Sequence, residues 1–498
     1  MNEARLHLRF HSLRTAVLVG AAAALGACAH VQGGAPGAAE RAQTDGGRAK
    51  NVILFVGDGM GVSTVTAIRI LEGQMRGETG EENVLSWETF PHVALSKTYN
   101  TNQQVPDSAG TATAMLSGVK TKAGFVGVGP APSRGDCAGA LRAFLPTLME
   151  RAEEAGLATG VVTTTRLTHA TPAAAFAHVP ERDWEADADM PADALAAGCM
   201  DIARQLVEFP YGDGIDVALG GGRENFLPDS AADPEYPDRT GKRRDGRDLV
   251  AAWRERPGAR YVWNKAQFDA VDTAEAGPLL GLFDPSHMKY ELDRPMDPAG
   301  EPSLAEMTAK ALSLLQNKPE GFALLVEAGR IDHGHHAGRA ALALHDGVAM
   351  AEAVKVADAM TDDADTLIIV TADHSHVFTI AGYPTRGNPI LGKVVANDAR
   401  GEPESEPARL QDGLPYTTLG YHNGPGAVRS LPRPDISDVD TQHEDYRQQA
   451  LLPIYSETHA GEDVPVYAKG PGAERVRGVM EQNEIYDALA GALGLGGE

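Results

Sequence analysis

The stretch DTLIIVTADH, residues 365–374, decides the fold. Its centre is apolar without a break, then the run ends in charge at Asp373 and His374. A strand with no polar face belongs in a parallel sheet covered on both sides. NVILFVGDG (51–59), GVVTTT (160–165), DVALGGG (216–222) and GFALLVEAG (321–329) read the same way. Helical patterns such as 139–155 and 336–360 lie between them. The chain is therefore read as α/β: a doubly wound, mostly parallel sheet sandwiched by helices. From 377 to 450 the sequence turns to Gly, Pro, Asp and Arg, which predicts an inserted loop-rich subdomain. DVPVYAKG (463–470) returns to the core as a strand, and a short C-terminal helix follows. Several strands end in Asp58, Thr163–Thr165, Glu327 and Asp373. In open α/β sheets the ligand crevice lies beyond the carboxyl ends of the strands, so these endings already mark a site.

Charge narrows the function. The 498 residues carry 44 Lys and Arg against 69 Asp and Glu, a net charge of −25. Such a surface repels nucleic-acid backbones and anionic lipid, so no nucleic-acid-binding face is expected. It repels free phosphate esters as well, and a phosphate site would need concentrated positive charge, which metal ions supply. At the N-terminus, Arg5, Arg9 and Arg14 precede an apolar run from Ala16 to Leu25, too short for a permanent span. LGAC (25–28) resembles a bacterial lipobox, with Cys28 lipidated; an ordinary signal peptide containing a cysteine is the alternative. The expected order is a signal peptide at 1–27, a flexible tether at 28–50 and a catalytic domain at 51–498. The chain is then an exported periplasmic or cell-surface lipoprotein, held to a membrane only through Cys28. Cys137 and Cys199 remain, paired as a disulfide in an oxidising compartment or left as two buried thiols.

The strand ends carry carboxylates and imidazoles. Asp58 lies in GDGMG, where glycines allow close approach of backbone or ligand. Glu327, Asp332 and His336 fall in VEAGRIDHGHH; Asp332 and His336 share a face if that segment is helical. Asp373 and His374 end TADH, and His459 sits in THAGED. Carboxylates with imidazoles suit zinc, and all-oxygen sets suit magnesium.

VGDGMG, PDSAGTATAMLSG, VVTTTRLTHATPAA, LLVEAGRIDHGHH, TADHSH and THAGEDVPVYAKGP, in this order, resemble the alkaline phosphatase family over residues 50–495. PEYPD, GARYVWN, GLFDP and MKYEL resemble its animal branch. The resemblance implies a phosphate monoesterase of broad range in which Ser108 of PDSAG is the nucleophile and forms a phosphoserine. It implies one zinc on Asp332, His336 and His459, and a second on Asp58, Asp373 and His374. Magnesium would take Asp58, Thr171 and Glu327, and Arg182, thirteen residues after His169, would grip two phosphate oxygens. His169 and His333, where the family varies, would act through water on the third metal and the phosphate.

Glu235, Asp284, Glu301 and the carbonyl of Phe283 match the calcium site of the animal branch, although Asp284 replaces a longer Glu and the spacing before Glu301 differs. A plain acidic surface cluster is the other reading. Cys137 and Cys199 match a disulfide of that branch. The family often forms homodimers with the inserted subdomain near the interface, so the expected partners are small phosphate monoesters and a second copy of the chain. A phosphodiesterase or sulfatase of the same superfamily is the nearest rival, disfavoured because Arg182 occupies the room of a second ester group. A non-catalytic, metal-stabilised lipoprotein would need a damaged site, yet each matched position is filled.

Overall fold

The computed structural model describes residues 47–274, 277–429 and 431–495; the predicted signal segment 1–27, Cys28 and the tether up to residue 46 lie outside them. The chain forms β1 (Asn51–Gly57), β2 (His92–Lys97), β3 (Ala158–Arg166), β4 (Val217–Gly221), β5 (Arg260–Val262), β6 (Leu279–Leu282), β7 (Phe322–Ala328) and β8 (Thr366–Ala372). The short β9 (Ser375–His376), β10 (Phe378–Ile380), β11 (Leu419–Gly424), β12 (Ala450–Pro453) and β13 (His459–Ala460) follow, then β14 (Val464–Lys469) and β15 (Gly478–Glu481). Ten of these make one sheet in the order β15-β2-β14-β8-β1-β7-β3-β4-β6-β5. Within it β14 runs antiparallel to both neighbours, and the other pairings are parallel.

The unbroken apolar runs are explained by two cores, one on each face. Val52, Leu54 and Val56 of β1 point into one core with Leu325 and Ile369. Ile53 and Phe55 point into the other with Leu324, Val326, Ile368 and Val370. The helices Ser108–Ser117, Leu148–Glu154 and Glu484–Leu493 cover the first face through Ala112, Met115, Leu148, Met149, Ile485 and Leu489. Val62–Met75, Leu304–Leu315 and Ala340–Met360 cover the second through Ile68, Met307, Ala311, Leu344 and Val354. Each such side chain contributes about 1.5–3 kcal/mol of burial. This is the expected sandwich.

The strands also end together. Val56 is paired with Glu327, Thr163 with Glu327, and Gly57 with Ala372. Asp58, Glu327 and Asp373 therefore emerge at one edge of the sheet.

Some local expectations shift. Helix over 139–155 is confined to Cys137–Ala140 and Leu148–Glu154. Pro146 disfavours helical backbone at Leu145, and Thr147 starts a new helix by accepting from the Glu150 amide at 3.2 Å. Helix over 336–360 divides into Arg330–His336 and Ala340–Met360, broken where Gly338 takes φ +68°. The last tether residues are bound to the domain: Arg48 Nε donates to the Leu493 carbonyl at 2.6 Å and the Lys50 amide to the Asp365 carbonyl at 2.7 Å. Within 377–450 lie β10, β11 and the first residue of β12, which together form a small three-stranded sheet. Cys137 and Cys199 are joined as a disulfide. Among the described residues no helix is long and apolar enough to cross a membrane.

Candidate metal centre

Ser108 is the first residue of its helix, capped by Asp107, whose Oδ1 accepts from the Gly110 amide at 3.1 Å. Its Oγ is buried and lies 3.1 Å from His374 Nε2. Asp107 Oδ2 accepts from the Gly124 amide at 2.8 Å and from Arg182 Nη1 at 3.1 Å. The cap of the serine helix thus also aims Arg182, whose Nη2 stands 3.1 Å from His169 Nε2.

Three neighbouring sets of candidate ligands lie at this edge, and one of them reaches this hydroxyl through His374. In the first, the helix Arg330–His336 does place Asp332 and His336 on one face, with Asp332 Oδ1 3.2 Å from His336 Nε2 and 3.4 Å from His459 Nε2. The two Nε2 atoms face each other at 3.1 Å. Their Nδ1 atoms donate to the carbonyls of Glu457 at 2.6 Å and Pro106 at 2.8 Å. In neutral rings both Nε2 atoms are then bare lone pairs beside a carboxylate, an arrangement that a cation, whether a ring proton or a metal ion, relieves. Zinc–nitrogen bonds of about 2.0–2.1 Å at tetrahedral angles separate ligand atoms by about 3.4 Å, close to this triangle.

The second set is Asp58, Asp373 and His374, with His374 Nε2 3.2 Å from Asp373 Oδ2 and 3.5 Å from Asp58 Oδ1. Asp373 Oδ1 is held by the Gly59 and His374 amides, each at 2.9 Å. Gly59 has φ +69°, and a Cβ there would stand 2.3 Å from His376 Nε2, so only glycine fits. The third set joins Asp58 and Glu327 with His169. Thr163 and Thr165 hydroxyls hold Glu327 Oε2.

Buried atoms without any partner concentrate here. Both oxygens of Asp58, Thr171 Oγ1, Glu327 Oε1, Asp373 Oδ2, His169 Nδ1 and His374 Nδ1 are all unsatisfied. Native cores leave few such atoms, because each costs about 1–3 kcal/mol. Burial, then Asp373, Asp332 and Glu327, pushes the Asp58 carboxyl up. Burial and Asp373 push Glu327 up to about 7. Burial would raise Asp332 too, but His336, His376 and His459 hold it well below the carboxylate range. A carboxylate-rich pocket that resists its own negative charge fits divalent cations. The sets abut: the rings of His374 and His459 stack at 3.6 Å.

Some residues of the centre escaped the sequence reading. His376 Nε2 lies 2.9 Å from Asp332 Oδ1, and its Nδ1 lies 2.6 Å from Glu457 Oε2. The signal was present in TADHSH, because alternate residues of an extended chain share a side. His287 packs against His333 with ring centroids 4.3 Å apart. It lies in the loop after β6, which no catalytic motif marks.

The calcium-type residues behave differently. Asp284 Oδ2 is bound by Lys289 Nζ at 2.7 Å, Glu235 Oε2 by Arg223 Nη2 at 2.9 Å, and Glu301 Oε2 by the Lys289 amide at 2.8 Å. Phe283 is buried just past β6. Glu235 Oε1, Glu301 Oε1 and both oxygens of Asp297 lack partners. Among the described residues these carboxylates do not converge as closely as Asp58, Asp373 and His374 or Asp58, His169 and Glu327.

A mostly parallel sheet with candidate metal sets at its strand ends, beside a buried serine at a helix start, defines a metal-dependent hydrolase of anionic esters. Residues 49–495 match the family model described as alkaline phosphatase. The chain is 50% identical over 458 residues to the tissue-nonspecific alkaline phosphatase isozyme of Gallus gallus, covering 90% of this chain and 85% of that one. It is 48% identical to an alkaline phosphatase of Gadus morhua, covering 90% and 92%. The solved structure of Thermus thermophilus alkaline phosphatase superimposes with a TM-score of 0.64 at 26% identity, over 93% of this chain and 97% of that one. The chain belongs to the alkaline phosphatase family and is a metal-dependent phosphoric monoester hydrolase.

Proposed function

We propose that the chain hydrolyses phosphate monoesters of broad range through a phosphoserine at Ser108, with two zinc ions and one magnesium ion as cofactors. The observation that carries this reading is the group of partnerless buried carboxylate and imidazole atoms in the sets that reach the Ser108 hydroxyl through His374. Asp332, His336 and His459 would hold one zinc, and Asp58, Asp373 and His374 the other. Asp58, Thr171 and Glu327 would hold magnesium, with His169 and His333 acting on it and on the phosphate through water. Bound there, the ions supply positive charge against the ester dianion and polarise its oxygens.

Ser108 Oγ forms a bond to phosphorus as the ester oxygen leaves, and water then cleaves the phosphoserine to release inorganic phosphate. The helix Ser108–Ser117 presents its N-terminal amides to the phosphoryl group. Arg182, steadied by Asp107, grips two phosphate oxygens with its planar fork. The same fork fills the space a second ester substituent would need. Rates on p-nitrophenyl phosphate, its bis-ester and p-nitrophenyl sulfate test the reading. The monoester is expected to be cleaved fastest, and faster cleavage of either other compound contradicts it.

Calcium on Glu235, Asp284, Glu301 and the Phe283 carbonyl is part of the same proposal, supported by the partnerless Oε1 atoms of Glu235 and Glu301. A rise in melting temperature on adding Ca²⁺ is expected, and its absence removes that site. Export with cleavage after residue 27, lipidation of Cys28, a tether and a catalytic domain at 51–498 with its insertion at 377–450 complete the reading. Leu451 and Leu452, exposed on β12, offer apolar surface for a second copy.

A further inference from the structure

The helix that starts at Ser108 is capped at its other end by Gly118, and Tyr486 packs on that glycine. A Cβ at Gly118 would stand 2.8 Å from the Tyr486 ring, and Asn483 Nδ2 donates to the Gly118 carbonyl at 3.2 Å. Tyr486 also lines a cavity of about 510 Å³ with Arg151, Arg475 and Asp487, against the C-terminal helix Glu484–Leu493. The Ser108 helix has 10 residues, a span of about 15 Å, so the cavity is well separated from the nucleophile.

Three guanidinium groups meet there. That of Arg475 lies over Gly491, where a Cβ would stand 3.2 Å from Cζ and 3.4 Å from both Nη atoms. That of Arg48 lies over Gly494, its Nε 2.7 Å from a Cβ placed there, and both glycines line the cavity. Arg151 stands beside the Tyr486 hydroxyl: burial pushes that phenol up, and Arg151 pulls it back. The Arg151 Nε is buried without a partner. Only Arg48 is needed to finish the helix. Its last four carbonyls already accept: Ala490 from the Leu495 amide at 2.8 Å, Gly491 from the Gly494 amide at 3.2 Å, Ala492 from the Ala49 amide at 2.9 Å and Leu493 from Arg48 Nε at 2.6 Å. Elsewhere Arg223 is paired with Asp233 and Glu235, and Arg243 with Asp201 and Asp245. Among the described residues Arg48, Arg151 and Arg475 form no ion pair, and Asp487 is the one acid on the cavity wall.

Three cations against one carboxylate reverse the local charge in a chain of net −25. Guanidinium groups take phosphate oxygens through paired N–H donors, and a phenol adds one more. We propose that Arg48, Arg151, Arg475 and the Tyr486 hydroxyl form a second oxyanion site, for a phosphate group, separate from the metal centre. Its occupant is the free phosphate that monoester hydrolysis releases or the headgroup of an anionic phospholipid, which the same donors would grip. The site does not depend on the metal assignments above.

Calorimetric titration of the full-length, zinc- and magnesium-loaded protein with inorganic phosphate tests this. Uptake of about two phosphates per chain is expected, one of them at the metal centre, falling to about one in R151M/R475M with monoester turnover unchanged. Soluble dihexanoyl phosphatidylglycerol, run against the same two proteins, separates the sources. Lipid binding tighter than that of phosphate, and lost in the double variant, marks a headgroup as the occupant; weaker or absent lipid binding marks free phosphate. Crystals of the parent soaked in tungstate and measured at the tungsten edge decide without any variant, with a peak expected between Arg151 and Arg475. A peak at the metal centre alone, neither ligand binding beyond that centre, or uptake that R151M/R475M leaves unchanged overturns the site.

Discussion

Ser108 owes its position to Asp107, which caps its helix and fixes Arg182 with the same carboxylate. Replacing Ser108 by Ala should leave zinc content unchanged and lower kcat by about 10³-fold or more, as loss of a nucleophile does elsewhere. Near-parent turnover in that variant would remove the assignment. His376 supports Asp332 from behind, and His376→Ala should weaken zinc retention or activity by about 10–100-fold, with partial recovery in excess zinc. A variant unaffected at every zinc concentration would show that the contact is incidental. At this scale the sequence motifs already point to the residues that converge, because each sits within a distinctive run such as VEAGRIDHGHH. His376, Glu457 and Asp107 were hidden because their roles depend on partners far along the chain. The β9–β13 pairing of His376 with His459 is one example.

The elements carry the residues to one edge. The central strands were legible because burial on both faces leaves nothing polar in Ile53–Val56 or Leu367–Val370. β2, β5, β6 and β15 were not. β6 is only LLGL and β5 only RYV, while β2, one strand in from the sheet's edge, leaves Val93 and Leu95 exposed. The turn after β1 permits no side chain at Gly59, so Gly59→Ala should lower the melting temperature and release zinc. Unchanged values would show that the turn can relax. The Cys137–Cys199 disulfide spans 62 residues, and Cys137→Ser should cost about 2–4 kcal/mol in a denaturation curve. No loss of stability would mean that packing alone closes that loop.

For the whole molecule, metal and protons compete for the same buried carboxylates. Burial pushes Glu327 and Asp346 up to about 7 and Glu301 up to about 8. The folded metal-free protein holds these protons more tightly than the unfolded chain, so their contribution is complete at low pH and is lost as pH rises towards 8. Histidines held neutral, such as His333, oppose this only below the ordinary imidazole value of 6.5. The chelated protein should therefore lose melting temperature between about pH 6.5 and 8.5, and zinc with magnesium should raise it more at the upper end, because binding releases the Glu327 proton. A metal-induced shift that shrinks with pH would contradict this.

The central claim is that the metal sets exist to make one hydroxyl attack phosphorus. It is tested most directly by quenching the metallated protein during monoester turnover and mapping the phosphoryl group by mass spectrometry. The label should lie on Ser108 and vanish after chelation or in Ser108→Ala. Turnover with the label elsewhere, or with no trapped phosphoryl group and an active Ser108→Ala protein, would contradict the account.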